Sequence, residues 1–233
     1  MKVFVLVFLI FFSNLTPANL RPVDEAYLAY EKKDYKEASR LFTQAAAGGD
    51  GSSMLALGVI FYSGQGVPVN YGKAFGWFTK AAALDIPAAK HNLGVMFLEG
   101  QGTKKNLMQA LDWFIQAAQQ GYLPSQKQLG HMYKDGTGVP QNYREAFRWY
   151  RKAAESGDAD SQFYLGVMYA NGEGVASNYT AAHMWFNLSA SNGYDTAGRA
   201  RDALAKASMS NSEISDAQER AQICLRSNYK FCE

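Results

Sequence analysis

Residues Leu129 to Ala154 read LGHMYKDGTGVPQNYREAFRWYRKAA. The stretch holds a Leu-Gly pair, an aromatic residue three positions on, a Gly-x-Gly turn, and a Trp followed by Ala-Ala. The same skeleton stands 36 residues earlier as LGVMFLEGQG…LDWFIQAA, and 36 earlier again as LGVIFYSGQG…FGWFTKAA. It returns 36 residues later as LGVMYANGEG…HMWFNLSA. Four copies in one register define a repeat array, in which one unit cannot bury its apolar stripe alone and must stack on its neighbours.

Apolar residues recur at helical spacing on both sides of each glycine turn, so the unit is a pair of helices. In the first copy Leu57, Ile60 and Phe61 share one face of a helix that ends at Gly64. A chain leaving a helix often needs the positive φ that glycine takes without cost. Gly66 and Pro68 shape the turn, and Asn70 is placed to cap the second helix through its side-chain oxygen. Ala74, Trp77, Phe78, Ala81 and Ala82 form that helix's buried stripe. The cap column is Asn70, Asn106, Asn142 and Asn178, with Asp34 in the same place upstream. The Trp column is Trp77, Trp113, Trp149 and Trp185, expected to fill the wedge between neighbouring hairpins. The glycine of each Leu-Gly pair is expected to let two helix backbones approach closely.

This register places repeats at 51–86, 87–122, 123–158 and 159–194. Residues 19–50 read as an N-terminal capping half repeat, because the helix opened by Asp34 matches only the second helix of a unit. Beyond Asn192 the register is lost, and 195–233 read as C-terminal capping helices and a tail. Helices are expected there over 195–207 and 213–226, the second opened by Ser212. Terminal repeats are expected to be atypical, since one face has no neighbour.

Of the 233 residues 48% are hydrophobic and 19% charged, which excludes a disordered or fibrous chain. The first 18 residues stand apart: Lys2 is a short positive region, Val3 to Phe12 an apolar run, and Thr16 and Ala18 suit a cleavage site. The run is shorter than the roughly 20 residues that span a bilayer, so residues 1–18 read as a secretory signal peptide, with a membrane anchor as the alternative. Without them the chain has 22 basic and 21 acidic residues. Such a balance gives no electrostatic reason to expect nucleic acid or an anionic membrane as partner, and no stable membrane insertion is expected after cleavage. Both cysteines, Cys224 and Cys232, lie in the last ten residues and in an oxidising compartment would bridge and close the tail.

The pattern resembles the Sel-1-like repeat (SLR) family, relatives of the tetratricopeptide repeats. Residues 125–157 carry the resemblance at Ser125, Leu129, Gly130, Tyr133, Gly136, Gly138, Val139, Ala146, Trp149, Lys152, Ala153, Ala154 and Gly157. Asn stands for the family's Asp at all four caps, and Thr103 replaces its Val in the second unit. The resemblance implies an all-α fold, a right-handed α/α superhelical solenoid of antiparallel helix pairs that serves as an interaction scaffold. The tail is similar to the C-terminal segment of exported bacterial members, which implies a periplasmic or extracellular location.

Chemistry-bearing motifs are sparse. His91, His131 and His183 lie in different units without a His-x-x-x-His or His/Cys cluster, so neither a metal nor another cofactor is expected. The Gly-x-Gly turns lack the third glycine or the Gly-Lys-Ser/Thr of phosphate-binding loops. No Gly-x-Ser-x-Gly elbow appears, and Ser227 and Lys230, spaced as Ser-x-x-Lys, lie between the two cysteines. No catalytic residue is assigned. The alternative is a weak hydrolase acting on cell-wall or β-lactam substrates in the bacterial envelope, by resemblance to a cysteine-rich SLR subfamily whose Cys pairs these repeats lack.

A binding surface follows more directly from the repeat geometry. If the core takes the columns of Leu57, Gly58 and Phe61, the opposite face of each first helix looks into the concave groove of the array. That face holds Leu55, Val59 and Tyr62, then His91, Val95 and Leu98. The next units give Lys127, His131 and Lys134, then Phe163, Val167 and Ala170. An apolar groove with one basic stripe suits an extended peptide or a partner helix, with Lys127, Lys134 and His131 placed to hold a carboxylate. The function expected is an exported scaffold that binds a peptide or partner protein.

Overall fold

The computed structural model describes residues 21–232. The signal-peptide segment, 1–18, lies outside the described residues. Among the described residues every regular element is an α-helix, and the chain divides into two compact units between Gln120 and Gly121. In the first unit α1 (Pro22–Glu31) pairs with α2 (Tyr35–Ala47), and α3 (Gly51–Ser63) with α4 (Tyr71–Ala83). The third pair is α5 (Pro87–Glu99) with α6 (Leu107–Gln119), and α2 on α3 and α4 on α5 join successive pairs. In the second unit α7 (Leu123–Asp135) pairs with α8 (Tyr143–Ala154), and α9 (Ala159–Asn171) with α10 (Tyr179–Ser191). Two further helices, α11 (Asp195–Ser208) and α12 (Asn211–Arg226), both pack on α10.

The caps fall where the sequence puts them. The side-chain oxygens of Asn70, Asn106, Asn142 and Asn178 accept from backbone N–H groups three residues on, at 2.9–3.1 Å, and Asp34 does the same for α2. Each satisfies one of the donors a helix start leaves without a partner. The first helices use two other starts: Asp50 and Asp158 cap α3 and α9, whereas α5 and α7 lack a side-chain cap and carry Pro87 and Pro124 in their first turn. Gly64, Gly100, Gly136 and Gly172 end the first helices at φ between 70° and 74°.

The close approach inside each hairpin differs from the expected one. A Cβ on the glycine of each Leu-Gly pair would meet an aromatic ring rather than a helix backbone. It would lie 2.4 Å from Phe78 for Gly58, 2.7 Å from Phe114 for Gly94, 2.5 Å from Tyr150 for Gly130 and 2.5 Å from Phe186 for Gly166. These rings follow the Trp column by one residue, and Phe78, Phe114 and Tyr150 are wholly buried. The Trp residues play the smaller part: Trp77, Trp113 and Trp149 are only half-buried. Lys80 and Lys152 lie over the rings of Trp77 and Trp149 at 4.4 and 4.8 Å, so these indoles border solvent. Trp185 is buried because it joins Ala217, Ala221 and Cys224 of α12 in the last core cluster.

The tail holds a second correction. Ser210, not Ser212, opens α12: its hydroxyl accepts from Glu213 N–H at 3.3 Å, and the Glu213 carboxylate accepts from Ser210 N–H at 2.7 Å. Only Ser210 has a glutamate three residues on, which the reciprocal capping box requires. Cys224 and Cys232 form the disulfide, with Cα atoms 4.5 Å apart. The loop it closes carries Tyr229 back to the repeats, where the Asn192 amide donates to its hydroxyl at 2.7 Å.

Helix propensity alone favours alanine over glycine inside a helix by about 1 kcal/mol. The ring in the notch reverses that sign. Gly58→Ala is expected to destabilise the protein by about 1–3 kcal/mol through overpacking, measured by urea denaturation; a gain in stability would show that Phe78 yields freely.

Candidate functional site

The outward columns of the first helices differ between the two units. In the first unit Leu55, Val59, His91 and Val95 are only 5, 7, 8 and 4% exposed, so these four side chains are packed away rather than presented. His91 sets its ring 5.3 Å from that of Phe114, and burial pushes its pKa down to about 4. The Tyr62 hydroxyl donates at 2.5 Å to the side-chain oxygen of Gln101 in the next turn, as Tyr30 does to Gln65 at 2.6 Å. Tyr62 is therefore a strut between successive hairpins. Leu98 remains half-buried.

In the second unit Lys127, His131, Lys134, Phe163 and Val167 all keep part of their surface. His131 stands where the other three copies have Val59, Val95 and Val167, and Tyr150 stands where they have phenylalanine. These two departures from the repeat meet in one hydrogen bond, Tyr150 hydroxyl to His131 Nδ1 at 2.8 Å. Burial holds the Tyr150 proton on its oxygen. The hydroxyl therefore donates, and neutral His131 keeps its own proton on Nε2. Burial likewise lowers the His131 pKa, against the pull of Asp160 and Asp135.

Tyr164, which no sequence pattern singled out, completes the cluster. Its ring stacks on Tyr150 at 5.0 Å and 12°, and meets His131 edge-on at 5.0 Å. Beside it Phe163 and Tyr194 lie 4.9 Å apart and Phe163 packs on Phe186 at 5.5 Å, which extends the run of rings to the turn before α11.

The basic stripe is not free charge. The Lys127 ammonium lies 3.5 Å from Asp158 and 3.3 Å from Asp160. Lys134 pairs with Asp135 and sits 5.7 Å over the Tyr164 ring. Three carboxylates thus answer two ammonium groups, and a partner's carboxylate would have to displace one. The signal was in the sequence as Asp158 and Asp160, one helical start away, but register alone does not show that they reach Lys127. Among the described residues no three His, Cys, Asp or Glu side chains converge on a metal-sized site.

With this geometry in place, the comparisons settle the class. The Sel1 repeat profile matches residues 27–50, 51–86, 87–122, 123–158 and 159–194, and the chain belongs to the Sel1 repeat family, generally one of non-catalytic scaffolds. A protective antigen of uropathogenic Escherichia coli with an SLR fold is 30% identical and superposes with a TM-score of 0.77 over 89% of this chain. The chain spans 46% of that protein's length. A Sel1 repeat protein of Oxalobacter formigenes is also 30% identical, with a TM-score of 0.75 over 86% of this chain and 84% of its own. An immunity protein of Pseudomonas aeruginosa shares the fold at 18% identity and a TM-score of 0.51, over 90% of this chain and 84% of its own. No functionally curated protein matches the sequence.

The buried histidine makes stability depend on pH. His91 is neutral in the fold, so stability is intact above the unfolded value of about 6.5 and falls as pH drops toward 4. By pH 5 the loss from His91 is about 2 kcal/mol. His131 and His183, also lowered chiefly by burial, act in the same direction. Urea midpoints at pH 7.5 and 5 measure this, and His91→Gln should flatten the difference; equal midpoints for the native chain would contradict it.

Proposed function

We propose that the protein is an exported, non-catalytic interaction scaffold. Its partner, a peptide or the helix of another protein, lies on the outward face of α7 and α9. The observation that carries this reading is the contrast between the units. At the same repeat positions the first unit buries Leu55, Val59, His91 and Val95, while the second leaves Lys127, His131, Phe163 and Val167 partly open.

The rings of Phe163, Tyr164 and Tyr194 offer apolar area with hydroxyl groups at its margin, a surface suited to seating a side chain at low entropic cost. His131 and Tyr150 fix the shape of that surface through their shared hydrogen bond. The paired lysines supply orientation rather than a free positive charge, so the partner presents polar groups of both signs around an apolar anchor. Support for export comes from the disulfide, from the leader-like composition of residues 1–18 and from the E. coli relative being a protective antigen.

Site-specific photo-crosslinking in cells tests the face. A crosslinker at Phe163 or Val167 is expected to trap a discrete partner, and one at the exposed Gln116 of α6 is not. Trapping from Gln116 with none from Phe163 or Val167 would move the binding surface elsewhere.

A further inference from the structure

The near-neutral total charge hides a separation of charge within the first unit. The turns before α2, α4 and α6 lie at one end of the hairpin stack. A Cβ on Gly66 would be 2.5 Å from Tyr35 Cβ in α2, and one on Gly102 would be 2.3 Å from the Tyr71 carbonyl oxygen in α4. Each glycine turn therefore rests on the start of the preceding second helix, and the turns form one continuous edge.

That edge carries Lys73, Lys104 and Lys105, all exposed and none in an ion pair among the described residues. Exposed Lys32, Lys33 and Lys36 continue it toward α1. The acids nearby are fewer: Glu37 pairs with Arg40, which leaves Glu31, Asp34 and Glu99 against these six lysines. Helix dipoles add little, because starts of α2, α4 and α6 alternate there with ends of α1, α3 and α5.

Between the lysines stand exposed apolar side chains. Val69 is 51% and Met108 59% exposed, with Tyr71 at 36%. The repeat does not impose the first two. The positions equivalent to Val69 hold Lys105, Gln141 and Ser177, and those equivalent to Met108 hold Gly72, Arg144 and Thr180. Open lysines around unneeded apolar knobs match a surface that is anionic outside and hydrocarbon beneath.

We propose that this edge docks the protein peripherally on an anionic lipid surface. Lys73, Lys104 and Lys105 meet the headgroups while Val69, Tyr71 and Met108 enter the boundary with the acyl chains. A soluble polyanion would satisfy the lysines but leave Val69 and Met108 in water, so the lipid surface is the better fit. Among the described residues no helix is long and apolar enough to cross a membrane, in keeping with docking rather than spanning. The inference is separate from the partner face on α7 and α9 and survives its failure.

The test is co-sedimentation of the full chain with vesicles of phosphatidylglycerol and phosphatidylcholine in equal parts, against phosphatidylcholine alone. Residues 1–20 are common to every variant, so differences between variants report the edge. The acidic vesicles should bind the native chain more tightly, and the preference should collapse in about 0.5 M salt. Lys104→Glu with Lys105→Glu should weaken binding by roughly tenfold or more. Val69→Ser with Met108→Ser should weaken it severalfold on vesicles and leave heparin binding unchanged. These side chains are exposed, and circular dichroism confirms that each variant is folded. No preference for acidic vesicles, or a lysine double variant that binds as the native chain does, overturns the proposal. Unchanged vesicle binding by the Val69 and Met108 variant assigns the edge to soluble polyanions and overturns it equally.

Discussion

Each of the four full repeats is closed by an aromatic ring seated where the facing helix has no side chain. A glycine in mid-helix is costly on its own, since it frees the unfolded backbone and buries nothing. Here the missing Cβ is what admits Phe78, Phe114, Tyr150 and Phe186 to contact distance. A buried ring contributes far more apolar area than a methyl group would, so the exchange favours the fold. The seat also fixes rotation. With Leu57 and Gly58 turned toward the ring, the residues two before and two and five after Leu57 must lie on the other side of the helix. The same rule orients each of the four repeats, which is how a packing constraint decides which side chains each first helix turns away from its ring.

Against that constant frame the third repeat stands apart. Replacing phenylalanine by Tyr150 keeps the ring in its seat and adds a hydroxyl at its far edge. Replacing valine by His131 puts an acceptor within 2.8 Å of it. Two substitutions in different columns thus convert a packing contact into a polar one that reaches the outward face, where Tyr164, Lys127 and Lys134 gather. In the first unit the positions of Lys127 and His131 are sealed by Leu55, Val59, Val95 and His91, a histidine too buried to ionise near neutral pH. The turn edge of the first unit follows a similar logic, with lysines and apolar residues placed where the repeat requires neither.

Much of the fold could be read from sequence because it is written in residues that act locally. Asn70 caps its own helix, Gly64 ends one, and a period of 36 residues repeats both. Signals that depend on three-dimensional approach are less legible. Trp is the largest side chain of the repeat, yet the ring one residue later takes the seat inside the hairpin, because a helix turns by about 100° per residue and it is the Phe or Tyr that faces the glycine of the paired helix. An unbroken aromatic column at Phe78, Phe114, Tyr150 and Phe186 was visible and would have shown this. Lys127 and Lys134 were legible as charges, but their pairing with Asp158, Asp160 and Asp135 depends on how α7 meets the start of α9. Net charge, being a sum, could not reveal an edge rich in lysine.

The seating of ring against glycine is the central claim, and a double-mutant cycle on Gly94 and Phe114 tests it most directly. Gly94→Ala and Phe114→Leu should each destabilise the native chain, the first by overpacking and the second by leaving a cavity. Combined, the alanine methyl occupies space that the smaller leucine vacates, so the double variant should lose at least about 1 kcal/mol less than the two single losses together. Strict additivity, measured by urea denaturation at neutral pH, would show that ring and glycine do not share that space and would contradict the account.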